Sequence, residues 1–250
     1  MRMLVSVRDV AEAREALQAG VDFIDLKEPS AGALGGLALP LIRELVAALR
    51  AGEGGLDARA RPLISATIGD LPVAAGADIL ARARAVGACG VDLVKVGVPG
   101  RGEAACGLLA ALATLPLAIV PVLIADDGLD AAVIDAACVP PFAAVMADTQ
   151  AKHAGSLLDL LGAEALGAFI ERAHGAGRMV GLAGALRTAD LAPLARLGPD
   201  FAGFRSAVCE GRREGRLDPR RLRALRAAID GLATQVATKP ARTAAEAPAV

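Results

Sequence analysis

The stretch Phe23-Ile24-Asp25-Leu26-Lys27-Glu28-Pro29 decides how this chain is read. It has the make-up of a short buried strand that ends in charge. Side chains alternate faces along a strand, so Phe23, Asp25 and Lys27 share one face and Ile24, Leu26 and Glu28 share the other. A carboxylate and an amine on one face of an apolar strand are costly to bury. Two readings follow: an internal ion pair that satisfies itself, or a reactive amine at the mouth of a barrel. The flanking chain separates them.

Outward from that stretch, apolar strands alternate with helical patterns. Strands are expected at Leu4–Val7, Phe23–Glu28, Leu63–Ile68, Leu93–Val98, Leu117–Ala125, Ala143–Asp148, Met179–Ala183 and Phe201–Arg205. Helices are expected at Val10–Ala19, from near Pro40, and at Ala77–Val86, Ala104–Leu115, Leu129–Ala137, Ser156 to about His174, Thr188–Leu197 and Leu217–Leu232. Asp9 is placed to cap the first helix and Gly20 to end it. Repeated β-then-α units with near-continuous apolar strands imply a parallel sheet covered on both faces. Eight such units in 250 residues argue for a single (β/α)8 TIM barrel. The barrel is expected over residues 1–232, with the Ala/Thr/Pro-rich segment 233–250 as a flexible tail.

Composition removes several function classes. Only 2% of residues are aromatic, with no Trp or Tyr, so platforms for stacking bases are lacking. The net charge of −1 leaves no electrostatic footprint for nucleic acid. Cys89, Cys106, Cys138 and Cys209 are far apart and show no zinc spacing, so no metal and no cofactor is expected, in a reduced cytoplasmic setting. The apolar run after Met1-Arg2-Met3 is too short for a secretory signal. Ala104–Ala125 is uncharged and long enough to cross a bilayer, but Pro116 and Pro121 split it into a helix followed by a strand, so no membrane partner is expected. Oligomeric state is left open, a homo-oligomer included.

The charges within the strands gather at one end. Asp25 and Lys27 close the second strand; Ser65, Thr67 and Asp70 lie at the third; Lys95 interrupts the fourth; Asp148 ends the sixth, with Lys152 just beyond. In a TIM barrel that end carries the active site. Lysines facing one cavity repel one another, which lowers an amine pKa and makes a nucleophile for carbonyls. Asp25 or Asp148 would offset the charge and move protons. The competing reading is two independent Lys–Asp bridges across the barrel. Gly184, Arg205 and Ser206, at the ends of strands seven and eight, and Thr67 are candidate contacts for a substrate phosphate. Residues 32–36 form a Gly-rich loop that reads as either a lid or a link. His153 is placed to assist proton transfer, and His174 reads as a surface cation at a helix end.

These motifs, in order and spacing, resemble one family. They are Leu4-Val5-Ser6, Asp25-Leu26-Lys27, Gly32-Ala33-Leu34-Gly35, Ser65-Ala66-Thr67-Ile68-Gly69-Asp70-Leu71-Pro72, Val94-Lys95-Val96-Gly97, Asp148-Thr149-Gln150-Ala151-Lys152, Gly181-Leu182-Ala183-Gly184 and Arg205-Ser206-Ala207-Val208-Cys209. The family is (5-formylfuran-3-yl)methyl phosphate synthase, and the resemblance spans about residues 3–230. It implies a TIM-barrel lyase that joins two molecules of glyceraldehyde 3-phosphate, with loss of phosphate and water, in methanofuran biosynthesis. It also implies that Lys27 forms the Schiff base, that Lys95 is the acid–base lysine, and that Asp148 and Lys152 serve the same site. Glu28-Pro29-Ser30-Ala31 departs from the Asn-Pro-Lys that archaeal members tend to have. The rivals are another Schiff-base aldolase acting on a triose phosphate, and a non-catalytic phosphosugar-binding barrel.

Overall fold

The computed structural model describes residues 1–52, 61–151 and 155–237. Eight parallel strands close into a barrel in sequence order. They are β1 (Arg2–Val7), β2 (Phe23–Leu26), β3 (Leu63–Thr67), β4 (Leu93–Pro99), β5 (Ile119–Ile124), β6 (Val145–Asp148), β7 (Val180–Leu182) and β8 (Phe201–Phe204). The helices between and after them are α1 (Val10–Gln18), α2 (Leu39–Gly52), α3 (Gly76–Gly87), α4 (Glu103–Leu112), α5 (Ala131–Cys138), α6 (Leu157–Gly175), α7 (Leu191–Leu197) and α8 (Pro219–Ala237). The TIM barrel expected from the strand-and-helix alternation is therefore the fold. No helix of the described residues is long and apolar enough to cross a membrane.

Strand alternation partitions the apolar side chains. Outward-facing residues such as Val5, Ile24, Leu26, Ile64 and Val96 pack against the helices in the larger core cluster. Inward-facing Leu4, Phe23, Leu93, Val120, Val122, Met146 and Phe201 fill the lower barrel. The Phe23 and Phe201 rings lie 4.8 Å apart, with the Arg2 guanidinium 4.9 Å from the Phe23 ring. Gly181 makes room for this pair: an added Cβ there would overlap the Phe201 ring and stand 2.8 Å from Met146 Cγ.

The bottom of the barrel is stapled by carboxylates that precede even-numbered strands. Asp22 accepts from the backbone N–H of Met3 at 2.6 Å, Asp92 from Ile64 at 2.7 Å and Asp200 from Val180 at 2.7 Å. Asp22 and Asp92 also pair with the Arg226 and Arg50 guanidinium groups, and Asp200 meets the His174 ring. His174 thus sits in the last turn of α6, half-exposed and bonded to Asp200, as its place at a helix end suggested.

Several boundaries differ from the expectations, each for a local reason. Gly162 takes a left-handed φ of 72° and breaks α6 near its start. The segment from Thr188 begins as a 3-10 turn, Thr188–Asp190, before α7. Leu217 pairs with Cys209 in an isolated antiparallel bridge instead of starting the last helix. The helix α8 runs to Ala237, past its expected end at Leu232.

Candidate active site

Ser6 of β1, Asp25 of β2, Lys27 just beyond it, Lys95 of β4 and Asp148 of β6 line one small chamber at the C-terminal end of the barrel. Parallel registry brings them together: Ser6 aligns with Asp25, Asp25 with Ser65, and Thr67 with Lys95. Asp25 is wholly buried. Its carboxylate accepts from Ser65 Oγ at 2.7 Å and Ser6 Oγ at 3.1 Å, and pairs with Lys95 Nζ at 3.2 Å. Burial pushes the Asp25 carboxyl up, but the Lys95 and Lys27 ammonium groups and the Ser65 hydrogen bond together hold it below its ordinary value. Asp25 is therefore a standing negative charge facing two amines.

Lys27 Nζ donates to the carbonyl of Ala33 at 3.0 Å and is 6% exposed. Asp148, on the far side of the chamber, accepts from the Thr149 amide at 2.7 Å. Among the described residues Asp25 pairs directly with Lys95 and also feels the charge of Lys27. Lys152 and His153 lie outside the described residues.

The chamber is small, about 30 Å³, with room for little more than water. Across the mouth lies a cavity of about 540 Å³, lined by Asp70, Pro72, Gly97, Arg101, Ile124 and Gln150 among others. The two share the C-terminal rim of the barrel.

The candidate phosphate contacts divide. Gly184 and Ser206 line the chamber. Gly184 has a φ of 110°, and a Cβ there would stand 2.9 Å from Thr149 Oγ1. The next residue, Ala185, is the one non-glycine with positive φ among the described residues. Ser206 opens a 3-10 turn, Ser206–Val208, whose first amides have no carbonyl within the turn to bond. Arg205 is different. Its Nε donates to Arg213 O, its Nη1 to Ser6 O and Glu12, and its Nη2 to Glu12 and Gly215 O. All five guanidinium hydrogens are committed within the protein, so Arg205 braces the end of β8. Thr67 is fully buried, and its hydroxyl donates to Gly35 O at 3.0 Å.

Two contributors had no sequence signal. Ala33 acts through its backbone carbonyl, which no side-chain pattern marks. Arg213 reaches the chamber from the loop after β8 and donates one N–H to Gly32 O at 3.0 Å. It was hidden in the charged run Glu210-Gly211-Arg212-Arg213-Glu214.

Comparison with known proteins bears on this arrangement. The family model described as 4-HFC-P synthase matches residues 3–226. A Methylorubrum extorquens protein provisionally named (5-formylfuran-3-yl)methyl phosphate synthase is 39% identical, over 83% of this chain and 82% of its own length. The (5-formylfuran-3-yl)methyl phosphate synthase of Methanocaldococcus jannaschii is 32% identical, over 87% of this chain and 95% of its own length. Among solved structures, phosphoribosyl anthranilate isomerase from Thermus thermophilus superposes with a TM-score of 0.61 at 17% identity, covering 93% of this chain and 100% of that one. That last likeness concerns the barrel alone.

Proposed function

The chain belongs to the 4-HFC-P synthase family, and we propose that it joins two molecules of glyceraldehyde 3-phosphate through a Schiff base on Lys27. The product is (5-formylfuran-3-yl)methyl phosphate, a furan unit for methanofuran. The observation that carries this reading is the pair of buried lysines, Lys27 and Lys95, facing the ionised Asp25. A binding barrel has no need of two amines in so small a chamber, whereas carbonyl chemistry through an imine uses both.

The steps follow from the groups present. A neutral Lys27 Nζ adds to the aldehyde carbon of the first triose, and the carbinolamine oxygen takes a proton and leaves as water. The iminium withdraws electrons from the adjacent C–H bond, so that proton is lost to a base. The enamine electrons then expel phosphate from the next carbon or attack the second aldehyde. Ring closure and dehydration release the lysine and complete the furan. One phosphate and two waters leave overall, which balances two trioses against the product.

Asp25 stabilises the cationic iminium without itself changing protonation. Lys95 and Asp148 carry protons to and from the oxygens and the acidified carbon. The Gly184–Ala185 backbone, the turn opened by Ser206 and the Arg213 guanidinium receive a phosphate. Lys152 is assigned to this site through the family motif. The chemistry is that of a carbon–oxygen lyase acting on phosphates.

Borohydride reduction in the presence of glyceraldehyde 3-phosphate tests the reading. A mass increase on a peptide containing Lys27, absent in Lys27→Ala, supports it. Adduct without furan returns the aldolase, and no adduct at all returns the binding barrel.

A further inference from the structure

The loop 32–36 is tied down at every residue from Gly32 to Gly35. Arg213 donates to Gly32 O at 3.0 Å, Lys27 Nζ to Ala33 O at 3.0 Å, and Thr67 Oγ1 to Gly35 O at 3.0 Å. The Leu34 amide donates to both oxygens of Asp70 at 3.2 Å. The Glu28 amide donates to Gly35 O at 2.8 Å. The loop is a strap across the barrel mouth.

The strap drives one side chain inward. Leu34 is 1% exposed and joins the inner barrel cluster with Phe23, Leu93 and Val120. Gly97 makes room for it: a Cβ there would stand 2.8 Å from Leu34 Cδ1. Gly97 and Asp70, which also touch Leu34, both line the 540 Å³ cavity. The residue before Leu34 holds the nucleophile of the 30 Å³ chamber. Leu34 lines neither space itself, but it fills the gap beside Gly97, which borders the cavity, and follows Ala33, whose carbonyl holds Lys27.

Resting on the activity proposed above, we infer that Leu34 is a specificity-determining partition between the imine chamber and the cavity for the second aldehyde. The reaction needs one aldehyde fixed on Lys27 and a second brought to the carbon beside it. The chamber as it stands cannot hold a triose phosphate, so entry of the first displaces the strap, and Ala33 O releases Nζ. Leu34, still anchored through its amide to Asp70, then sets how far the second aldehyde reaches and how long its chain can be. Asp70 is a positioning residue in this scheme. It acts through the Leu34 amide and does not touch the reacting atoms.

The test uses full-length protein with glyceraldehyde 3-phosphate, alone and in competition with the four-carbon erythrose 4-phosphate. Borohydride trapping on Lys27 and the masses of the condensation products are followed separately. In Leu34→Ala the Lys27 adduct is expected to persist, while preference for the triose as second aldehyde falls about tenfold or more. Leu34→Met, of similar volume, should restore the parent's preference. Gly97→Ala, pressing on Leu34 from the cavity side, should sharpen it, and this variant decides the matter should Leu34→Ala not fold. An unchanged product ratio in a folded Leu34→Ala or in Gly97→Ala, with the parent active, overturns the partition and leaves the activity standing. A parent that forms no adduct refutes the activity itself, and the partition with it.

Discussion

Replacing Asp25 by Asn probes the electrostatic centre of the site. The substitution keeps the size of the side chain and an oxygen for Ser65, and it removes the negative charge 3.2 Å from Lys95 Nζ. At that separation and an effective dielectric near 20, the lost attraction is about 5 kcal/mol. Measured losses for removing one partner of a buried pair are about 3–5 kcal/mol, because the other charge stays behind uncompensated. For a chain of this length that corresponds to a fall in Tm of roughly 6–20 °C. Urea unfolding of Asp25→Asn, Lys95→Met and the double variant measures the term directly. The double variant should lose far less than the sum of the singles, with a coupling of about 2 kcal/mol. The pH dependence has a definite sign. Asp25 is held below its ordinary pKa in the fold, so its stabilisation is complete above the ordinary carboxylate range and is lost as pH falls through the depressed value. Parent and Asp25→Asn should therefore converge in stability on acidification. A variant within about 0.5 kcal/mol of the parent at neutral pH, or additive losses in the cycle, would refute the reasoning.

Further outcomes follow from the same contacts. Glu12→Gln weakens the bidentate hold on the buried Arg205, so it should lower stability by about 3 kcal/mol and, by loosening the Ser206 turn, raise KM for phosphorylated substrate; unchanged urea midpoint and KM would remove Arg205 as the brace. Gly181→Ala forces a methyl into the Phe201 ring and should cost about 1–3 kcal/mol in thermal or urea unfolding. Burial pushes the Cys209 thiol up to about 11 despite the Arg205 cation, so at pH 8 iodoacetamide should label the more exposed Cys106 first, as read by peptide mass, with Cys209 reacting only on unfolding.

The barrel was legible because its strands are unusually uniform. Near-continuous apolar runs, each followed by a helical stretch, leave few other topologies, and even the proline within β5 did not obscure the count. The chamber was legible for the same reason. Asp25, Lys27, Lys95 and Asp148 are charges at one end of apolar strands, and alternation alone puts Asp25 and Lys27 on the face of Phe23. What eluded sequence was who binds whom. Arg205 sits where a phosphate contact belongs, but its donors are taken by Glu12, nearly two hundred residues away in the chain. Thr67 is on the correct face yet is turned to a loop carbonyl. Ala33 contributes a carbonyl, and Leu34 a buried apolar wedge from within a Gly-rich loop, features that composition marks only as a turn. Pairings of this kind depend on where loops return over the barrel, which strand periodicity does not encode.

The most direct measurement is incubation of the purified protein with glyceraldehyde 3-phosphate alone. The ultraviolet absorbance of an aromatic aldehyde and the mass of the product are followed, beside Lys27→Ala. The account predicts a furan phosphate from the parent, release of inorganic phosphate in equal amount, and neither from the variant. Undiminished furan formation by Lys27→Ala, or triose phosphate left intact by the parent, would contradict it.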